Sequence, residues 1–166
     1  MAKDNSFDVV SQVDMQEVDN AFQQTKKELV QRYDLKGSGA DIELDKAGMK
    51  VVVVAPSDFV ASQVIDVFNT RLVRRSVDLK SIRWADSQAA SGGTVRIEGE
   101  IVAGIDQDTA RKINKDIRDQ KFSKVKVAIE GDKLRVSSPS RDELQTVIAF
   151  LKSGDWGVPL QYENYR

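Results

Sequence analysis

Lys50-Val51-Val52-Val53-Val54-Ala55-Pro56-Ser57 and Lys133-Leu134-Arg135-Val136-Ser137-Ser138-Pro139-Ser140 decide the reading of this chain, because they are one strand-and-stop signal written twice. At a single constant offset, Val53, Pro56, Ser57, Val64 and Ile65 find Val136, Pro139, Ser140, Val147 and Ile148. In each copy the strand ends where proline removes a backbone donor, and the serine after it offers a side-chain oxygen to open a helix. A duplicated αβ module is the organising expectation, and it favours a two-domain binding protein over an enzyme built around one catalytic centre.

Working outward from the first copy, Phe7 to Ser11 reads as a short strand and Asp14 as a helix cap. Val18, Phe22, Thr25 and Leu29 share one face of a helix running to about Tyr33, which Lys36-Gly37-Ser38-Gly39 breaks. Asp41 to Leu44 and Lys50 to Ala55 frame a hairpin around Asp45-Lys46-Ala47-Gly48. Ser57 or Asp58 caps a second helix with Val60, Val64, Val67, Phe68 and Leu72 inward, and Arg71, Arg74 and Arg75 close its last turn, where the helix dipole favours cations. A strand over Ser81 to Trp84 completes the order β-α-β-β-α-β.

Asp86 to Gly93 is small, polar and glycine-bearing, and reads as a linker. Beyond it the order returns: strand Thr94 to Ile101, Asp106 as a cap, and a helix with Ala110, Ile113 and Ile117 inward. Strands Lys124 to Glu130 and Lys133 to Ser137 turn at Gly131-Asp132; Ser138 or Ser140 then caps a helix striped by Leu144, Val147, Ile148 and Leu151, and Leu160 to Tyr162 closes the module. The expected fold class is α+β: two ferredoxin-like β-α-β-β-α-β modules, each an antiparallel four-stranded sheet with two helices on one face. The domains are residues 1–90 and 91–166.

Composition narrows the chemistry. A chain of 166 residues that is 40% hydrophobic can fill two small cores. Its longest apolar run, Val51 to Ala55, is far short of the roughly 20 residues a membrane span requires. Met1-Ala2-Lys3-Asp4-Asn5-Ser6 carries no apolar stretch, so no secretory leader, no membrane partner and a cytoplasmic location are expected. With no His and no Cys, thiol and imidazole nucleophile systems and the usual zinc sites are excluded, and the acidic residues show no ligand spacing. No catalytic residue, metal or cofactor is assigned, and the chain is not expected to be an enzyme. The net charge of −1 lacks the positive field that makes nonspecific nucleic-acid binding tight. Neither third strand, Lys50 to Val54 or Lys133 to Ser137, carries the aromatics on which RNA-recognition domains stack bases.

Ser6-Phe7-Asp8-Val9-Val10-Ser11 with Val13-Asp14, then Glu17-Val18-Asp19-Asn20-Ala21, Arg32-Tyr33-Asp34, Gly131-Asp132 with Arg135-Val136, Ser140-Arg141-Asp142-Glu143-Leu144-Gln145, and Pro159 to Arg166 together resemble the YajQ family of small bacterial proteins. The match is collinear over the whole chain. The resemblance implies that the first strands of the two modules, residues 6–11 and 94–101, are exchanged between the sheets. It also implies a nucleotide-binding protein without established catalysis. Cyclic di-GMP, as the ligand of an effector that relays to a protein or DNA partner, and GTP are its ligand candidates, and RNA or a regulatory protein its further partners. The alternative is an RNA-binding protein of RNA-recognition-like topology.

Four residues are the nucleotide candidates: Arg83, Trp84, Arg32 and Arg141. Trp84 beside Arg83 offers an indole and a guanidinium that together hold a purine by stacking and charge, against which stands core packing. Arg32 and Arg141 belong to the family-matched pieces, where internal ion pairs and helix capping explain them equally. Arg71 and Arg75 have the Arg-x-x-x-Arg spacing of one cyclic di-GMP receptor class, with an ordinary basic helix end as the competing reading. Trp156 is either a stacking or a packing residue. Tyr162 and Tyr165, three apart in an extended segment, are expected to face opposite sides, with one buried.

Overall fold

The computed structural model describes residues 4–166, so the reading of Met1 to Lys3 as part of a leaderless start lies outside the described residues. In chain order the elements are β1 (Asn5–Val10), α1 (Met15–Gln31), β2 (Asp41–Asp45), β3 (Lys50–Ala55), α2 (Asp58–Arg74), β4 (Ile82–Trp84), β5 (Gln88–Ala89), β6 (Val95–Ile101), α3 (Gln107–Asp119), β7 (Lys126–Glu130), β8 (Lys133–Ser138), α4 (Arg141–Ser153) and β9 (Gln161–Glu163). They group into two compact units. One is Val13–Val102; the other joins the described residues before Val13 to Ala103–Arg166.

Both units are antiparallel sheets backed by two helices, the α+β ferredoxin-like plan. In the first the order is β2-β3-β6-β4, and in the second β7-β8-β1-β9. Val51, Val53 and Ala55 on β3 alternate inward, where they meet Val64 and Phe68 of α2 and Val18 and Phe22 of α1. Leu134 and Val136 on β8 repeat the pattern against Ile113 of α3 and Val147 and Leu151 of α4. Burying each such side chain contributes about 1.5–3 kcal/mol, which is what holds helices to sheet. The helix starts are capped as serine and aspartate chemistry dictates: Ser57 Oγ accepts the Val60 amide at 3.2 Å, Asp106 Oδ1 accepts Thr109 at 2.7 Å, and Ser140 Oγ accepts Glu143 at 3.3 Å.

The linker expectation needs correction. Gln88 and Ala89 form β5, paired with Arg96 and Val95, and the Ala90 amide donates to Thr94 O at 2.8 Å. Residues 86–93 therefore begin a tight hairpin onto β6 rather than a loose tether. Gly92 and Gly93 supply the two left-handed positions of its turn, φ 71° and 75°, so the same glycines that suggest flexibility encode a fixed reversal. The first sheet consequently carries a fifth short strand.

β1 lies between β8 and β9, with Phe7 opposite Val136 and Asp8 opposite Arg135. β6 lies between β3 and β4, with Gly99 opposite both Val51 and Trp84. Each sheet thus has as an inner strand a segment distant in sequence from its neighbours on at least one side.

Candidate functional site

Within their units, the four nucleotide candidates line three grooves. Arg83 and Trp84 share one with Lys50, Glu98, Gly99 and Glu100, a space of ≈ 450 Å³. Arg32 lines another, ≈ 330 Å³, with Glu28, Asp66, Arg71 and Arg74. Arg141 lines a third, ≈ 320 Å³, with Asn5, Ser6, Phe7, Leu144, Gln145, Ile148, Tyr165 and Arg166.

Local chemistry separates them. Arg32 is held by Asp34 at 2.7 Å, and Asp34 also accepts from Gln63, so the family-matched Arg32-Tyr33-Asp34 works as an internal pair. The Arg-x-x-x-Arg spacing is likewise spent on structure: Arg71 bonds Glu28 at 3.0 Å and Arg75 bonds Glu17 at 3.3 Å, tying α2 to α1. Trp84 turns toward the helix layer, edge-on to Phe68 at 6.4 Å, over the bare backbone of Gly99. Packing therefore explains much of its placement, while Arg83 points from the opposite face of its strand. Trp156 is 9% exposed and donates its Nε1–H to Leu151 O at 2.9 Å, satisfying a carbonyl in the last turn of α4. It is a packing residue, with Lys112 Nζ over its ring at 5.2 Å.

The Arg141 groove is built differently. Its floor is Phe7, Leu144 and Ile148; Asn5, Ser6, Arg141, Gln145 and Arg166 make up its rim, and no acidic side chain lines it. Arg141 Nε donates to Asn5 Oδ1 at 3.1 Å and makes no ion pair among the described residues, which leaves its remaining donors for a ligand. Tyr165 stands 61% exposed beside them, its ring 6.1 Å from that of Phe7 and tilted by 34°.

Tyr162 also meets Phe7, at 6.0 Å, so both tyrosines contact the same buried ring and the expectation of opposite sides is overturned. The reason is one inserted residue. Asp8 faces Glu163 in the ladder, and two residues back on β1 the Ser6 amide donates to Arg166 O at 3.1 Å while the Arg166 amide donates to Ser6 O at 2.9 Å. Between these rungs β1 supplies Phe7 alone and the closing segment supplies Asn164 and Tyr165. That is a β-bulge, with Asn164 left-handed at φ 60°.

Asp8 anchors this bulge from the other face of the sheet. Only 1% exposed, it accepts from Asn164 Nδ2 at 2.9 Å, Arg135 Nε at 3.1 Å and Lys133 Nζ at 3.4 Å. Burial works to raise its pKa, but the hydrogen bonds from Asn164, Arg135 and Lys133 outweigh burial and hold the carboxyl below its ordinary value. Arg135 is raised in return, chiefly by the same hydrogen bond. A buried carboxylate so satisfied makes a rigid tie for the last strand.

Of the groove's lining residues, Arg141 alone was legible as a candidate; Asn5, Ser6, Gln145, Tyr165 and Arg166 were not. A signal for most of them was present. The quoted pieces at Ser6-Phe7, Ser140 to Gln145 and Asn164 to Arg166 are remote in sequence yet converge on this one concavity.

Comparison with known proteins bears on the chain as a whole. Residues 5–166 match the model of a family described as nucleotide-binding protein YajQ-like. A nucleotide-binding protein of Desulfitobacterium hafniense is 47% identical over 166 residues, covering 100% of both chains. Another of Nocardia farcinica is 50% identical over 163 residues, 98% of this chain and 99% of the relative. A third, of Enterococcus faecalis, is 47% identical over 165 residues, 99% of each.

Proposed function

We propose that this chain, which belongs to the YajQ-like family, binds a nucleotide in the groove between β1, α4 and residues 165–166. The carrying observation is the groove's combination of an exposed aromatic, the Arg141 guanidinium and the neutral side chain of Gln145 over an apolar floor, without an acidic side chain. Tyr165 offers its ring for stacking, Gln145 reaches a base edge, and Arg141, held by Asn5, meets phosphate, for which a planar guanidinium is suited. The grooves at Trp84 and Arg32 each present two carboxylates, Glu98 and Glu100 or Glu28 and Asp66, which oppose a phosphate. A fourth groove at Arg118 and Lys126 has no acidic side chain, but its aromatic, Phe122, is half-buried and engaged edge-on with Phe150 at 5.9 Å.

The volume of ≈ 320 Å³ sits near the lower end of the about 300–1,000 Å³ typical of ligand pockets, which suits one nucleotide or one half of a cyclic dinucleotide. We read the binding as regulatory rather than catalytic, in keeping with relatives named for binding a nucleotide. Cyclic di-GMP and GTP are the first ligands to try, a regulatory protein is the next partner, and the cytoplasm is the compartment that supplies all of these. Among the described residues, no helix is long and apolar enough to cross a membrane.

Calorimetric titration with ATP, GTP, cyclic di-GMP and a single-stranded RNA tests this. Saturable nucleotide binding is expected, and Tyr165→Ala and Arg141→Ala are each expected to weaken it about tenfold, in line with about 1–3 kcal/mol per stacked base or charged hydrogen bond. Silence toward every nucleotide at millimolar concentration, or affinity indifferent to both substitutions, sinks the reading. Strongly salt-dependent binding of RNA alone would favour the RNA-binding alternative.

A further inference from the structure

We propose that Asn164 is a positioning residue for the Arg141 groove: its left-handed bulge is what turns Tyr165 onto the α4 side of the sheet. This rests on the nucleotide reading for its consequence, and on backbone geometry alone for its cause. In an unbulged ladder running on from Asp8 opposite Glu163, residue 164 would face Phe7 and residue 165 would face Ser6. Side chains alternate along a strand, so Tyr165 would then point to the face that carries Asp8, away from Leu144 and Ile148. The extra residue shifts the pairing by one, places Arg166 opposite Ser6, and brings the Tyr165 ring to Phe7.

Asparagine suits this position on two counts. It tolerates positive φ better than other side chains with a Cβ, and its amide reaches Asp8 Oδ2 at 2.9 Å. Asp8 is fixed in turn by Arg135 and Lys133 on β8. The left-handed turn at Asn164, braced by a contact on one face of the sheet, thereby sets the aromatic wall of a groove on the other.

The test compares Asn164→Gly with Asn164→Val in the full chain. Glycine accepts φ 60° freely and valine resists it, so glycine should keep the bulge and valine should lose it. The ligand-independent readout is the nuclear Overhauser contact between the Phe7 and Tyr165 rings, with the remaining amide spectrum checking that the fold persists. The contact is expected in the parent and the glycine variant and absent in the valine variant. In titration with GTP and cyclic di-GMP, valine should weaken binding about tenfold, as Tyr165→Ala does, and glycine should stay within about threefold. A valine variant that keeps both ring contact and affinity overturns the proposal, as does a glycine variant that loses the ring contact. If the parent binds no nucleotide, the proposed function fails, and the ring contact still decides whether Asn164 orients Tyr165.

Discussion

Gly99→Ala should destabilise the first sheet even though glycine in a strand is ordinarily a weakness. The backbone at Gly99 is regular strand, so alanine there would gain about 0.4–1 kcal/mol by restricting the unfolded chain if space allowed. Space does not allow it. A Cβ at Gly99 would stand 2.8 Å from Ile82 Cγ2 and 2.8 Å from both Cε3 and Cζ3 of Trp84, where ordinary contact begins at 3.4 Å. The indole cannot simply swing clear, because it is braced edge-on against fully buried Phe68. Overpacking of this kind costs about 1–3 kcal/mol, which exceeds the entropic gain. The expected net is a loss of about 1–2 kcal/mol, or a fall in Tm of roughly 2–8 °C for a chain of this length. Scanning calorimetry and urea unfolding followed by tryptophan emission measure it. In a Trp84→Leu background the clash with the indole is gone and only the one with Ile82 Cγ2 remains, so the same substitution should cost less, a coupling of about 1 kcal/mol in the double-mutant cycle. Equal or raised stability for Gly99→Ala in the parent, or an equal loss in both backgrounds, refutes the steric argument.

Asp8 should make stability fall in acid. Its folded pKa is depressed, so its contribution is fully present above the unfolded value of about 3.9 and is lost as pH drops through the lower folded value. Asp8→Asn is expected to lose about 1.5–3 kcal/mol at neutral pH and to converge with the parent in strong acid; parallel Tm curves from pH 6 to pH 2.5 would count against the network. Separation of the chain at Gly92-Gly93 should leave neither product cooperatively folded, because residues 1–92 lack β6 and residues 93–166 lack β1, each an inner strand. A sharp thermal transition in either fragment alone would contradict that dependence.

Helices were the easiest features to read because their signals are local. Asp14, Ser57, Asp106 and Ser140 all cap where a side-chain oxygen before an apolar stripe predicts, and the stripes Val64-Phe68-Leu72 and Leu144-Val147-Ile148-Leu151 are buried. Two features resisted, each governed by φ at one or two residues. Gly92-Gly93 reads equally as a tether or a turn until its partner strand is known. Asn164 gives no periodic warning that the strand after Glu163 slips by one, so plain alternation puts Tyr162 and Tyr165 on opposite sides when both meet Phe7. The site was harder than the fold for a further reason. Arg83 and Trp84 are adjacent in sequence and look like a pair, yet neighbours on a strand point to opposite faces. Arg141 and Tyr165 look unrelated and line one groove because β1 and α4 bring their ends together.

The position of β1 also bears on how the chain can be made. Asp8 leaves the ribosome early, yet its partner Arg135 lies 127 residues behind it and Asn164 lies 156 behind. At translation rates of about 5–20 residues per second, an apolar segment holding Phe7, Val9 and Val10 must wait several seconds before its sheet exists. The first helix and hairpin meet within that time, but β6 must also emerge before their own sheet has its inner strand. Such long-range pairing slows folding and leaves strand edges open to other nascent chains. Control of early association during synthesis is therefore a demand that this topology makes on the cell.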